Sequence, residues 1–163
     1  MFKRILTEEE IAKQIAWLIN TNNRLNKRYN INEILSVSSS YLVETLGSIV
    51  VGCVQVERQA YVLSEIKHLV VHLTMRRQGL AKILIASALN KSTTPVVYAT
   101  VREDNIGSQK AFTACGFTNA GKYTTENRSI ILFLATSPKW KNTVDKINSS
   151  TYNGLNIGGE RAL

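Results

Sequence analysis

Behind Thr7, the apolar residues Ile11, Ile15, Leu18 and Ile19 recur at helical spacing, and Glu10 stands three residues after that threonine. This pattern predicts a helix over Glu8–Asn20, opened by a capping box and with acidic residues in a first turn that favours them. Before it, Phe2–Leu6 reads as a short strand. After it, Asn20–Asn32 is polar and rich in asparagine. It reads as a turning segment that leads to a short second helix holding Ile31, Ile34 and Leu35. From Tyr41 the chain becomes β-prone. Tyr41–Thr45 and Ile49–Glu57 form a hairpin about Leu46-Gly47-Ser48, and Tyr61–Leu73 is a third, long strand. Ile83, Leu84, Ala86, Ser87 and Leu89 mark a helix ending near Asn90 and Lys91. Pro95 precedes a strand over Val96–Val101. Asn105–Cys115 reads as a helix closed by Gly116. Strands near Lys122–Thr125 and Ile130–Ala135 complete the pattern.

The order is β-α-α-β-β-β-α-β-α-β-β. A helix joining Tyr61–Leu73 to Val96–Val101 implies a right-handed parallel crossover, and the hairpins imply antiparallel pairs. The expected architecture is α/β (α+β), a mixed sheet with helices on its faces. It fills residues 1–136, and Pro138 with the Asn/Ser/Gly-rich stretch after it predicts an irregular basic tail over 137–163. At 163 residues the chain is long enough for one domain with its own core.

Composition narrows the class. Two cysteines, Cys53 and Cys115, make no disulfide framework, and no Cys/His cluster suggests a metal. No apolar run reaches the ~18–20 residues of a membrane span, so no membrane partner is expected. Lys3 and Arg4 are followed by Glu8-Glu9-Glu10 rather than an apolar signal core, which reads as a reduced, cytoplasmic protein. Charge is the unusual feature: 20 Lys+Arg against 12 Asp+Glu give +8. Such a field attracts polyanions, nucleic acid among them, although the positive residues are scattered.

The most informative segment is Val71-His72-Leu73-Thr74-Met75-Arg76-Arg77-Gln78-Gly79-Leu80-Ala81-Lys82, a strand, a basic turn with one glycine, and a helix start. Unpaired N–H groups and the positive end of the helix dipole make that start an anion site. Gly79 lets a phosphate approach the backbone closely, and Arg76, Arg77 and Lys82 add full charges.

Arg76-x-x-Gly79-x-Ala81 resembles the Arg/Gln-x-x-Gly-x-Gly/Ala element of the GNAT superfamily of N-acetyltransferases. Val71-His72 resembles its Val-His-Pro lead-in, with Leu73 where proline is usual. Asn105-x-x-Ser108-x-x-Ala111-Phe112-x-x-x-Gly116-Phe117 is similar to the next family motif, and Glu65-x-x-x-Leu69-x-Val71 to its fourth strand. The resemblance covers about Tyr41–Ala135. It implies a GNAT fold of about six or seven strands flanked by about four helices, and acetyl-CoA as acyl donor. The amides of Gln78, Gly79, Leu80, Ala81 and Lys82 would hold the pyrophosphate. The backbone of Leu69 and Val71 would pair with the pantetheine arm, and the Val71 N–H would polarise the thioester carbonyl. Asn105 would bond the pantetheine, and Ser108 and Lys110 would reach the phosphates.

The implied reaction is attack of an unprotonated amine on the thioester, which needs a base, an oxyanion donor and an acid for the thiolate. Glu65 matches the family's acidic position and is the candidate base. The tyrosine that commonly protonates the sulfur is replaced by Phe112. Tyr123 is taken as the substitute, with Tyr98 and Cys115 behind it, and the thiolate's modest pKa also allows it to leave unaided. His68 and His72, about 13 Å apart on a strand, are read as ordinary strand residues. Trp17 is a core or cleft-lip residue, and Trp140 packs the tail. Arg24, Lys27, Arg28 and Tyr29 form a basic patch that would favour an acidic acceptor. Two other readings stay open: a GNAT-fold module binding nucleic acid or a protein partner without turnover, and an acyltransferase acting on nucleic acid. Monomer and homodimer are equally compatible with the sequence.

Overall fold

The computed structural model describes residues 5–22, 27–143 and 145. Helix α1 (Glu8–Asn22) starts where its capping box requires: the Glu10 N–H donates to Thr7 Oγ1 at 3.2 Å, and the Thr7 N–H to Glu10 Oε2 at 2.9 Å. Helix α2 (Ile31–Leu35) carries a second such box between Asn30 and Glu33. A 3-10 turn (Ser38–Ser40) leads into β1 (Tyr41–Leu46), β2 (Ile49–Ala60) and β3 (Leu63–Val71). A second 3-10 turn (Leu73–Met75) precedes α3 (Leu80–Lys91), β4 (Val96–Arg102), α4 (Ile106–Ala114), β5 (Thr118–Thr125) and β6 (Arg128–Thr136).

The six strands form one sheet in the order β1-β2-β3-β4-β6-β5. Only β3 and β4, joined through α3, run parallel. This mixed sheet with helices on its faces is the expected GNAT architecture.

The two faces have separate cores because the pleat sends alternate side chains to opposite sides. Val54, Ile66, Val97, Ala99 and Phe133 meet Leu84 and Ile85 of α3 and Phe112 of α4. On the other face Tyr41, Cys53 and Val70 meet Ile15 and Ile19 of α1 and Ile34 of α2. The α1/α2 layer thus covers β1 to β3, and every position of β5 is exposed.

Three details differ from the sequence reading. Phe2, Lys3 and Arg4 of the first expected strand lie outside the described residues, and Ile5 and Leu6 are not in a strand. The third strand is shorter than Tyr61–Leu73, because Tyr61 and Val62 turn the β2–β3 hairpin and Leu73 enters the 3-10 turn. Residues 138–143 are helical rather than irregular. Trp140 anchors that helix, its Nε1–H donating to the Thr93 carbonyl at 3.1 Å.

Candidate active site

The sheet is split between β3 and β4. Their parallel ladder runs from Leu63↔Val96 to Ile66↔Ala99 and stops, although the strands continue to Val71 and Arg102. The cause lies in β3. Cys53 pairs with Val70 and Gln55 with Lys67, so two steps on β2 answer three on β3. This is a β-bulge, which bends the strand that carries the extra residue. His68 has φ 49°, a left-handed value for a non-glycine residue. The bulge also resets the facing of the strand: Ile66, Leu69 and Val71 pack toward the α3/α4 core, and Val70 toward the α1 core.

Past the bulge, the His72 N–H donates to the Val51 carbonyl at 2.9 Å, so that peptide is spent on β2. By strand alternation the amides of Val71 and of Leu69, two residues earlier, point to the open edge. An unpaired strand edge is a template for an extended amide-bearing chain.

The turn after β3 is the second component. Arg76 Nε donates to the Val71 carbonyl at 3.2 Å, and Gln78 Nε2 to the Thr74 carbonyl at 3.2 Å. His72 Nδ1 lies 2.8 Å from Thr74 Oγ1. These bonds hold the turn while Arg77 (φ 63°) and Gly79 (φ 85°) take left-handed backbone. Gly79 is the N-cap of α3, and no atom lies within 4 Å of where its Cβ would be. Among the described residues, no hydrogen bond uses the amides of Arg77, Gln78, Gly79, Leu80 or Ala81; the first to find an acceptor is Lys82, whose N–H donates to the Gly79 carbonyl at 2.9 Å. Five free amides, the open space beside Gly79 and the exposed Arg77 and Lys82 suit a diphosphate.

The turn of open amides lies where the sequence motifs placed the expected anion site, and the split beside it is a feature the sequence reading did not include. The Acetyltransferase (GNAT) family model matches residues 5–117. The chain belongs to the GNAT family.

No curated relative matches the chain. Solved structures share its fold at low identity. Ard1 from Thermoplasma volcanium is 19% identical, with a TM-score of 0.67 over 82% of this chain and 95% of that one. The protein yncA from Salmonella typhimurium, solved with its cofactor acetyl-CoA, is 13% identical, with a TM-score of 0.67 over 82% of this chain and 91% of that one. A spermidine N-acetyltransferase, SpeG from Vibrio cholerae, in a mutant form, is 18% identical, with a TM-score of 0.67 over 86% of this chain and 96% of that one.

The second GNAT motif of this chain is α4 and its flanks. The Ser108 N–H donates to Asn105 Oδ1 at 3.2 Å, so the Asn105 carbonyl group caps the helix. Ser108 is half-buried and Lys110 exposed. Cys115 Sγ lies 3.6 Å from the Lys82 carbonyl and joins the end of α4 to the start of α3. Burial pushes its thiol pKa up, so it behaves as a packing residue. Phe112 is buried against Phe117 and Phe133, with ring centroids 5.0 and 6.0 Å away.

Glu65 sits before the split, opposite Glu57 of β2 and in register with Tyr98 of β4. Gln59 Nε2 donates to Glu65 Oε2 at 3.2 Å, and Lys67 Nζ stands 3.4 Å from the same oxygen. Lys67 also pairs with Glu57. Its hydrogen bond holds the Glu57 carboxyl below its ordinary pKa. Burial, then Glu65, pushes the Tyr98 phenol up. Tyr123 of β5 is exposed and lies in the row of Ile130 and Arg102, whereas Glu65 lies in the row of Tyr98, Leu134 and Thr118. The register does not bring Glu65 and Tyr123 together.

On the α1 side, Trp17 stacks on His72 with centroids 5.8 Å apart. In the basic patch, Lys27 is paired with Glu33 at 2.8 Å, Arg28 is exposed, and Arg24 lies outside the described residues. Sequence reasoning missed His68. Its ring lies between the hydroxyls of Tyr41 and Tyr29, at 2.6 and 3.0 Å. Those partners are 27 and 39 residues away, so no local signal marks the cluster. Among the described residues, no helix is long and apolar enough to cross a membrane.

Proposed function

We propose that the chain transfers an acetyl group from acetyl-CoA to a primary amine by direct attack within a ternary complex. The carrying observation is the split after Ile66↔Ala99, which leaves a free strand edge leading into a turn of free amides. A ligand with amide groups at one end and a diphosphate at the other fits that sequence of features, and acetyl-CoA has both. The Arg77–Ala81 amides, with Arg77 and Lys82, would hold the diphosphate. Gln78 and Gly79 bring the backbone close, and Leu80 and Ala81 add the first helix-turn donors. Arg76 would act by holding the turn, since its guanidinium is bonded to Val71. The edge amides of Leu69 and Val71 would pair with the pantetheine, the latter aimed at the thioester carbonyl. Asn105 Nδ2, Ser108 and Lys110 would line the other wall.

In the reaction, the amine nitrogen forms the C–N bond and the Val71 N–H stabilises the oxyanion. Collapse breaks the C–S bond, and its electron pair leaves on sulfur. Glu65, six residues before Val71 on β3, would take the proton from the amine through a chain of waters along the strand. Its contacts with Gln59 and Lys67 hold the carboxylate in place.

Spermidine is the acceptor named for the Vibrio cholerae structure. It is one polyamine to test here, beside peptide amines and nucleic acid. The pairing of Lys27 with Glu33 offsets part of the basic lip and weakens the case for an acidic acceptor. Buried Phe112, with no hydroxyl, favours a second reading, a GNAT domain that binds without turnover. Thiol release from acetyl-CoA on a panel of amines, peptides and RNA, alongside calorimetric titration with acetyl-CoA, separates the two. Binding with thiol release supports the transferase; binding without release on any acceptor, or no binding of acetyl-CoA, supports the binding module.

A further inference from the structure

At the bulge, where β3 has just left β4, the chain builds a three-ring hydrogen-bonded cluster from distant segments. His68 Nδ1 is 2.6 Å from Tyr41 Oη, and Nε2 is 3.0 Å from Tyr29 Oη. The Tyr29 ring meets His68 edge-on at 4.6 Å, and Tyr41 stacks on it at 6.0 Å. Tyr29 is held by its backbone as well. Asn20 of α1 donates through Nδ2 to the Tyr29 carbonyl at 2.8 Å and accepts the Tyr29 N–H at 2.9 Å.

The protons in this cluster can be assigned. Tyr41 is buried, and among the described residues its hydroxyl has no partner but His68. A buried phenol with one neighbour must donate to it, so Nδ1 accepts. A neutral imidazole then carries its only N–H on Nε2, which donates to Tyr29 Oη. The Tyr29 hydroxyl proton is therefore left to point away from His68, which itself stands two residues past the last rung of the β3–β4 ladder. Burial, then the Lys67 charge, pushes the His68 pKa down to about 4, which keeps the imidazole neutral.

We propose that the Tyr29 hydroxyl is the proton donor to the departing thiolate, a role for which Phe112 has no group, and that His68 is its positioning residue. This rests on the acetyl-transfer reading above. As the C–S bond breaks and its electron pair passes to sulfur, the sulfur takes the Tyr29 proton. Nε2–H stays on His68 and stabilises the phenolate, which regains a proton from solvent. The charged and titratable groups around the cluster are Lys27 over the Tyr29 ring, its partner Glu33 of α2, Lys67 beside His68, and Glu57 and Cys53 of β2. From α1, the uncharged Asn20 holds Tyr29.

The test uses Tyr29→Phe, which keeps the ring, and thiol release from acetyl-CoA with whichever amine the wild type acetylates. The expected result is a fall in kcat of about ten- to a hundredfold, with KM for acetyl-CoA and the calorimetric Kd unchanged. His68→Gln, which retains an N–H donor, is expected to lose less. Nitrogen-15 NMR of the wild type is expected to show His68 as the neutral Nε2–H tautomer, with no titration between pH 5.5 and 8. Full kcat in Tyr29→Phe, or an Nδ1–H tautomer, overturns the proposal while leaving the transferase intact. A wild type that binds acetyl-CoA but releases no thiol on any amine overturns the acetyl-transfer reading instead.

Discussion

Arg76 is bonded back onto the strand that leads to it, its Nε donating to the Val71 carbonyl at 3.2 Å and its Nη2 to the Asn22 carbonyl at 3.5 Å. One guanidinium therefore ties the open edge of β3, the turn before α3 and the end of α1. A lysine keeps the charge and loses the planar fork. Arg76→Lys is expected to weaken acetyl-CoA about three- to tenfold, in line with the loss of about one net hydrogen bond. Calorimetric titration measures it, and unchanged affinity would show that charge alone matters at this position.

Gly79 has φ 85° and open space where a Cβ would go. Strain in the backbone and obstruction of the ligand are thus separable. Gly79→Ala is expected to cost about 1–2 kcal/mol in urea unfolding, the penalty of a left-handed Cβ. Gly79→Asn is expected to lose less stability, because asparagine tolerates that region. Both are expected to bind acetyl-CoA at least about tenfold more weakly, since any Cβ occupies space a phosphate needs. Wild-type affinity in Gly79→Asn would remove the phosphate role of the turn.

Glu65 keeps its place through Gln59 and Lys67, at 3.2 and 3.4 Å. Glu65→Gln preserves shape and removes the base. Turnover is expected to fall about a hundredfold, with acetyl-CoA affinity within about a factor of two, because Glu65 lies before the split and away from the turn. Steady-state kinetics of thiol release, paired with calorimetry, test this. Activity near the wild-type level would move the base elsewhere.

His68 makes stability depend on pH. Its pKa is pushed from 6.5 down to about 4, chiefly by burial. The unfolded chain therefore binds a proton first as the pH falls. The contribution is complete above pH 6.5 and is lost as the pH drops from there toward 4. Allowing for its partial exposure, the expected loss is about 1–2 kcal/mol. Urea unfolding at pH 7 and pH 4.5 is expected to show this difference in the wild type and a smaller one in His68→Gln. Equal pH dependence in the two would place the loss in other groups.

The helices and the turn were legible because their signals are local. Thr7 and Glu10 cap α1 within four residues, and the spacing from Arg76 to Ala81 sets the start of α3. Phe112 was recognisable as a departure from the GNAT motif for the same reason. The helix at 138–143 was missed because Pro138 and the polar residues after it read as a breaker, and it is Trp140 bonded to Thr93 that holds it.

Local chemistry along the chain thus determined α1 to α4 and the strands between them, the GNAT motifs and the turn into α3, each of which depends on neighbours a few positions apart. The split beside Ile66, the left-handed backbone of His68 and the meeting of Tyr29, His68 and Tyr41 were decided only in three dimensions. Register against β2 sets whether β3 carries an extra residue, and that extra residue sets which side chains share a face. No property of Leu63–Val71 read alone contains the partner strand.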